Sequence, residues 1–335
     1  MRFTFSKILP TLACALIGAH GAAAQTTPIT LQVELANIVG YQEDNSDVGK
    51  FATASGITPS AAVRNFAFQE HLADIVAVNG RPVKGMLVRN VRLAVLRTSP
   101  APGQGIADVI RAGVTSDVFE ILNDDGTLIG TFVGSGPFQA GTSAAPGIFS
   151  VTGGSQAFLG MRGQYAPSPI PGVATVRIAS VTEDPANRRT NGGGRLLLNF
   201  QLLPNSRPEI VLVPGPQNSS VPAIVHAVDF SLVTAENPAK AGEILALFAK
   251  GLGPVRPSPD AGQPFPASPL AVVNSPVDVK VNGAAAEILA AVGYPGSADA
   301  YQVNFRVPAG TGSGTASLQV TAAWIPGAAT VLSVQ

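Results

Sequence analysis

The chain has 335 residues and a balanced charge, with 21 Lys and Arg against 21 Asp and Glu. Charged residues make up 13% of it, well below the usual quarter, and no basic stripe could neutralise a phosphate backbone. Nucleic acid is therefore excluded as an expected ligand. The 36 glycines and 28 prolines favour many short strands joined by tight turns over long helices.

The first 24 residues have the pattern of a secretory signal peptide. Arg2 and Lys7 give a positive start, the apolar run 8–19 is too short to span a bilayer, and small residues end at Ala24. We expect cleavage after Ala24 and a secreted or periplasmic protein. Acylation at Cys14 is an alternative, although the nearest leucine stands one position away from where a lipoprotein signal requires it.

The sequence beyond the signal peptide contains no cysteine. The mature chain is therefore expected to lack disulfides, a thiol nucleophile and cysteine metal ligands, and its length lets it bury enough surface without them. No later segment reaches the apolar length of a membrane span, so we expect no transmembrane segment in the mature chain.

Proline marks the expected domain boundary, with five prolines between residues 204 and 222. We predict a first domain over 25–205, a semi-rigid proline-rich linker over 206–221 and a second domain over 222–335. Within the linker, Ile210 to Val213 could still add one short edge strand.

The first domain shows repeated strand patterns separated by turn signals, Asn79-Gly80 being the clearest hairpin signal. Eight strands are predicted at 29–35, 66–78, 83–96, 118–122, 127–133, 148–152, 173–181 and 195–203. Eight sequential strands need two sheets or a closed barrel to remove their edges. We therefore predict an all-β fold that begins with an eight-stranded barrel or sandwich.

A glycine-rich segment, VTGGSQAFLGMRGQ, occupies residues 151–164. It lacks the spacing of a dinucleotide-binding turn and the lysine of a phosphate-binding loop, so neither ligand is expected. The segment resembles the Gly-Gly-x-x-x-Phe-x-x-x-Arg-Gly stretch of dirigent and allene-oxide-cyclase-like barrels, and the similarity covers roughly residues 108–203. This resemblance implies a barrel that encloses a small apolar ligand and guides its coupling or cyclisation.

The alternation of apolar and polar residues in the second domain also predicts short strands. Val277, Val279 and Val281 alternate with charged residues, Asn282-Gly283 is expected to close a hairpin to residues 286–290, and residues 301–307 alternate again. Regular short strands of this kind describe a sandwich.

Three motifs carry a second resemblance: GEILALF at 242–248, GLGP at 251–254 and YQVNFRVP at 301–308. They resemble the C-terminal domain of Solibacter-type acidobacterial secreted proteins, which is similar to Ig-like modules of the IPT/TIG kind. The resemblance covers nearly all of 222–335 and implies an Ig-like β-sandwich.

Candidate ligand-binding residues are few. Glu120 shares a strand face with Val118 and Leu122 and would point inward if that face lines a lumen. Arg162 lies in the glycine-rich segment, where it could anchor an anionic ligand or pair with an acid to hold the loop.

His71 is the third candidate, as a general base with Glu70 or Asp74 or as a histidine on a polar strand face. His226 lies in the other domain, so no Ser-His-Asp or zinc site is predicted.

The acidic stretch 43–47 lacks the glycine of a calcium loop. We assign no catalytic residue, no metal and no cofactor.

We therefore expect a non-catalytic extracellular binding or structural protein, whose partner is a small apolar ligand in the barrel or an extracellular polymer or protein. The alternative is a dirigent-like or cyclase-like enzyme. Adhesion to polysaccharide or to a partner cell surface is a third reading. An exposed aromatic row would indicate it, and the sequence shows no obvious row of this kind. Trp324, the single tryptophan, either sits at an exposed hairpin tip or packs under the sandwich.

Overall fold

The computed structural model describes residues 27–44, 66–95, 111–140, 147–180, 182–260 and 262–335. The regular elements in these ranges are β-strands and two short 3₁₀ turns, at Pro185–Arg188 and Pro216–Asn218. The predicted all-β fold class is confirmed. None of the described residues belongs to a helix long and apolar enough to cross a membrane. The expected signal peptide, with Cys14 and its cleavage site, lies outside the described residues.

The first unit is a closed barrel. Its strands are β1 (Ile29–Asp44), β2 (Phe66–Val78), β3 (Arg81–Pro82), β4 (Lys84–Val95), β5 (Arg111–Leu122), β6 (Leu128–Ala140), β7 (Phe149–Gln156), β8 (Arg162–Pro169), β9 (Arg177–Ser180) and β10 (Gly194–Leu203). Antiparallel pairing runs β2–β4–β5–β6–β7–β8–β10–β1 and returns from β1 to β2. In a closed ring every strand is hydrogen-bonded to a neighbour on both sides, so no strand edge is left unpaired. This is why eight strands form a closed barrel here.

One of the eight ring strands, the seventh in chain order, is not the predicted one. Residues 173–181 were expected to supply it, but β9 pairs in parallel with β1 outside the ring. Its place belongs to β8, which begins inside the glycine-rich segment and pairs with β10. Gly163 shows why glycine is needed there: a Cβ atom would stand 2.0 Å from the Gln201 carbonyl oxygen. Glycine therefore allows close strand contact in β8 instead of forming a loop.

The turns predicted at two Asn-Gly pairs are confirmed. Asn79 and Gly80 both have positive φ, at 49° and 76°, and join β2 to β3. Asn282 and Gly283 repeat this geometry at 50° and 81°. Positive φ at both central residues gives the turn whose twist matches that of the flanking strands.

Inward-facing side chains fill the barrel. The rings of Phe119, Phe132, Tyr165 and Phe200 are at most 1% exposed. Their centroids lie between 4.8 and 5.6 Å apart in the contacts they make with one another. Aliphatic side chains from β1, β2, β4 and β10 complete this core, among them Leu31, Val33, Leu35, Ile75, Leu87, Leu198 and Leu202.

In the second unit, residues 209–260 and 262–334 of the described chain form fourteen short strands. They are β11 (Glu209–Ile210), β12 (Leu212–Pro214), β13 (Ser220–Pro222), β14 (Ile224–His226), β15 (Ile244–Lys250), β16 (Val255–Arg256), β17 (Val272–Val273), β18 (Val277–Val281), β19 (Ala284–Ala285), β20 (Glu287–Gly293), β21 (Ala300–Arg306), β22 (Gly314–Ala322), β23 (Ile325–Pro326) and β24 (Thr330–Val334). One sheet joins β11, β14–β17, β20 and β21, and a second joins β18, β19 and β22–β24. Leu247 and Phe305 from the first sheet share a core with Val279 and Leu318 from the second, so the two sheets pack as a sandwich.

Two connections differ from the sequence expectation. The segment expected to be a linker is largely paired: β11, which includes Ile210, adds to β15 as a short edge strand of the kind the sequence allowed, and β12 forms an unexpected hairpin with β13. The turn at Asn282-Gly283 joins β18 only to the two-residue β19, because the chain then crosses to the other sheet, where β20 pairs with β21.

The second unit covers one end of the barrel, which we call the lower end. Ala323 and Ile325 belong to the same buried cluster as the barrel core, and Trp324 packs against that cluster. Asn274 donates a hydrogen bond to the Leu128 carbonyl at 2.7 Å and accepts one from the Thr127 hydroxyl at 3.0 Å. Trp324 thus contacts the barrel instead of lying at an exposed hairpin tip or under the sandwich, the two positions expected from the sequence.

Candidate functional site

A buried polar cluster lies inside the barrel, among otherwise apolar side chains. Arg89 on β4 and Asp117 on β5 are direct cross-strand neighbours. Arg89 Nε donates to Asp117 Oδ1 at 2.9 Å, and its Nη2 donates to Oδ2 at 2.7 Å. The Tyr165 hydroxyl donates to the same Oδ2. Asp117 is completely buried and Arg89 is 9% exposed, so this is an interior ion pair.

Aromatic rings hold this ion pair in place. The Arg89 guanidinium lies 4.7 Å from the centroid of the Phe149 ring, within the range of a cation–π contact. Phe149 in turn stacks on Tyr165 at 5.2 Å. The bidentate geometry matches the planar guanidinium to the carboxylate, and the rings restrict both partners.

The electrostatics of the cluster keep Arg89 charged and Tyr165 neutral. Burial lowers the pKa of Arg89, but the hydrogen bonds and negative charge of Asp117 outweigh it and raise that pKa above its ordinary value. Burial and the charge of Asp117 raise the pKa of the Tyr165 hydroxyl far above its ordinary value. Tyr165 is thus a fixed hydrogen-bond donor, not an acid that ionises near neutral pH.

His71 lies close to this cluster. Its Nε2 is 3.1 Å from Gln69 Oε1. Burial and the positive charge of Arg89 lower the pKa of His71 to about 4. Gly40 on β1 is packed against the ring, since a Cβ atom there would lie 3.0 Å from His71 Nε2. His71 is therefore a neutral imidazole at physiological pH.

The acids considered as partners of His71 are not its partners. Side chains alternate between the two faces of a strand, so Glu70 and Asp74 point away from the face that carries His71. Asp74 accepts hydrogen bonds from Arg188 at 2.7 Å and Arg189 at 2.9 Å. Burial raises the pKa of Asp74, but these bonds and one from Asn37 bring it down to about 2. The structure therefore places neither acid beside His71, where the general-base hypothesis needed one.

Glu120 does not point into the barrel. Asp117, Phe119 and Ile121 are completely buried, whereas Val118 is 43% exposed. The period of two then puts Glu120 with Val118 on the outer face. The inward orientation considered for Glu120 is wrong, because the buried residues Asp117, Phe119 and Ile121 occupy the inner face of β5.

Arg162 and the glycine-rich segment lie at the lower end of the barrel. Arg162 is exposed, and within the described ranges it forms no ion pair. The segment turns back at residues 157–161 and inserts Phe158, which stacks on Phe132 at 4.2 Å and is completely buried. Its observed role is to fill the lower end of the barrel core.

Sequence reasoning missed Arg89, Asp117 and Tyr165. A signal for the first two was present, because each interrupts an apolar inner face: Leu87 and Val91 flank Arg89, and Phe119 follows Asp117 on its face. When one strand has a basic residue on its apolar face and the next strand has an acidic one, the two residues form a buried ion pair if the pairing register places them opposite each other.

In the second unit, His226 makes a separate polar contact. Its Nδ1 lies 2.5 Å from Glu243 Oε1, and its Nε2 lies 3.3 Å from the Asn237 carbonyl oxygen. Burial lowers the pKa of His226, but Glu243 and that carbonyl raise it to a net value above the ordinary one. No described residues form a group of three or more metal-ligating His, Cys, Asp or Glu side chains.

A groove rich in side-chain amides crosses the outer face of the barrel. Thr30, Gln201 and Gln164 form one cross-strand row over β1, β10 and β8, and Gln32 and Asn199 form part of the next. Gln164 Nε2 donates to Gln201 Oε1 at 2.9 Å, and Gln32 Nε2 donates to Asn199 Oδ1 at 3.2 Å. The groove has a volume of about 460 Å³.

Comparison with known proteins identifies no family. No protein-family model matches the chain, and no curated protein matches it. Among solved structures, the N-terminal domain of the Streptococcus gordonii adhesin Sgo0707 aligns over 93% of this chain and 92% of its own, with 11% identity and a TM-score of 0.18. A TM-score this low does not indicate a shared fold, so the alignment carries no functional argument.

Proposed function

We propose that this chain is an exported, non-catalytic binding protein whose barrel offers its outer surface to a partner. In this proposal residues 1–24 direct export to the periplasm or the exterior. The second unit is an Ig-like module, related to those of Solibacter-type secreted proteins, that supports the barrel from its lower end.

The filled barrel core is the observation that carries this proposal. Enzymes that guide a small apolar ligand inside a barrel need an open lumen with a few convergent polar groups. Here four aromatic rings in mutual contact occupy the centre, and all are at most 1% exposed. A ligand could enter at this level only by displacing the core.

The state of the buried polar groups supports the same proposal. A general base needs a free basic group with a pKa near the working pH. Both oxygens of Asp117 accept hydrogen bonds, and the pKa of His71 is about 4. Tyr165 is held neutral as a donor to Asp117. The arrangement suits structural specificity better than proton transfer.

The test is a thermal-shift screen of the full chain with small apolar molecules. We expect no saturable rise in melting temperature, because the filled core has no room for them. Leu198→Ala serves as the positive control, since removal of a buried side chain leaves an apolar cavity that can bind a benzene-sized ligand. That variant should be stabilised by benzene in a saturable way.

Saturable stabilisation of the unmodified chain by one ligand class, with chemical conversion of that ligand, would overturn the proposal. It would favour the dirigent-like or cyclase-like alternative instead.

A further inference from the structure

We propose that the amide-lined groove on the outer face of the barrel binds an uncharged polysaccharide. The inference rests on the proposed binding function and names the partner class and the surface. Its centre is the row Thr30, Gln201 and Gln164, with Gln32 and Asn199 beside it.

The charge of the groove selects the class of ligand. Among the described residues that line it, none is Asp, Glu, Lys, Arg or His. A charged polymer would lose hydration on entering and gain no opposite charge in return. An uncharged ligand has no charged group to dehydrate, so the groove favours a neutral partner.

The amides supply the hydrogen bonds that such a ligand needs. A carboxamide carries two donor hydrogens and an acceptor oxygen, so it can satisfy a sugar hydroxyl in either role. The bonds from Gln164 to Gln201 and from Gln32 to Asn199 use only part of this capacity. Every one of these four amides keeps at least one donor hydrogen that its partner amide does not use.

Strand pairing preorganises the site. Gln201 lies on β10 between its neighbours Thr30 on β1 and Gln164 on β8. Adjacent strands lie about 4.8 Å apart, so the row repeats polar groups at a regular spacing along a rigid surface. Side chains already held by each other lose less conformational freedom when a ligand binds. The exposed Ile148 adds an apolar contact at the groove. The two aromatic residues that line the groove, Tyr165 and Phe200, are buried, so recognition there depends on the amides and not on an aromatic row.

The shape of the groove suits a chain rather than a deeply enclosed small molecule. Its volume of about 460 Å³ falls within the range of ligand sites, and it lies on the outer face of three adjacent strands. A polymer can cross such a surface and make the same contacts from successive units, which raises its overall affinity.

The experiment is native affinity electrophoresis of the full chain in gels that contain hydroxyethylcellulose, dextran or carboxymethylcellulose. We expect retardation by at least one of the two neutral polymers and weaker retardation by the anionic one. The first and third probes share a backbone and differ in charge, so their comparison isolates the charge argument.

Gln201→Ala is the decisive variant, because Gln201 occupies the centre of the row and is exposed. We expect about a tenfold loss of affinity for the neutral polymer, the effect of one or two lost hydrogen bonds. Gln263→Ala, at an exposed position in the second unit, is the matched control and should bind as the unmodified chain does. Gln164→Ala provides a second variant in the same row.

Equal retardation by the anionic polymer, or unchanged affinity in both groove variants, would overturn the inference. Absence of retardation by either neutral polymer would overturn it as well. These outcomes leave the result of the thermal-shift screen unaffected, so failure of the glycan site and failure of the proposed function are distinguishable.

Discussion

The carboxylate of Asp117 is the most constrained polar group in the barrel. It is completely buried and accepts hydrogen bonds from Arg89 and Tyr165. Burying two charges costs desolvation energy that their attraction only partly offsets. Removal of one partner is therefore far more damaging than replacement of both, because it leaves the other charge unpaired.

We predict that Asp117→Asn lowers the free energy of unfolding by about 3–5 kcal/mol. The substitution keeps the shape of the side chain but leaves the Arg89 guanidinium without a counter-charge. Urea denaturation followed by circular dichroism measures the effect.

The triple variant Arg89→Met, Asp117→Leu and Tyr165→Phe is the matched control, because it removes both charges together with the hydroxyl that would otherwise lose its acceptor. We expect it to recover most of that loss. If the triple variant is as unstable as Asp117→Asn, the cost comes from packing and not from the unpaired charge.

His71 makes stability depend on pH with a defined sign. Its folded-state pKa is about 4, against 6.5 for the free side chain. Between these values the unfolded chain binds the proton and the folded chain does not. The contribution is therefore complete above pH 6.5 and is lost as pH falls towards 4, by about 3 kcal/mol in total.

Urea denaturation of the full chain and of His71→Gln at pH 7 and pH 4.5 tests this prediction. The unmodified chain should lose more stability between the two pH values than the variant does. Other titrating groups are common to both proteins and cancel in the comparison. An equal loss in both proteins would show that His71 is solvated in the folded state.

Strand patterns fixed by local chemistry were predictable from the sequence. The turns at Asn79-Gly80 and Asn282-Gly283 have residues that tolerate positive φ, and both turns occur. Strand β2, at Phe66–Val78, and strand β18, at Val277–Val281, have the predicted bounds. In each case the signal is contained within a few neighbouring residues.

Features that depend on the partner strand were not predictable. Strand β8 contains Gly163, which reads as a loop residue until its close contact with β10 is known. The face of Glu120 stayed open in the sequence because Val118 and Phe119 are both apolar, and only the barrel decides which of them is buried. In the candidate site, His71 was found by its chemistry, whereas Arg89 and Asp117 become a pair only through their register.

At the scale of the whole molecule, the two units share a buried contact. Trp324 packs against the barrel core, and the side chain of Asn274 bonds to Thr127 and Leu128. Since Trp324 is the single tryptophan, its fluorescence reports the state of this contact alone.

We predict that Asn274→Ala shifts the tryptophan emission to longer wavelength and lowers the free energy of unfolding by about 2 kcal/mol. The two lost hydrogen bonds contribute about 1 kcal/mol each, and the loosened contact admits water to the indole. Steady-state fluorescence and urea denaturation measure the two effects. Asn90→Ala, at an exposed position on the barrel, should change neither. An unchanged emission in Asn274→Ala would mean that Trp324 is held independently of Asn274.

The pairing of β1 with β10 has a topological consequence. Ile29 lies opposite Leu202, so the barrel starts and finishes at the same place on its surface. A domain whose two chain ends lie side by side can be inserted into an exposed loop of a host protein without stretching either partner. Such a host would also have to cover the lower end of the barrel with apolar side chains, because Ala323 and Ile325 of the second unit complete the core there.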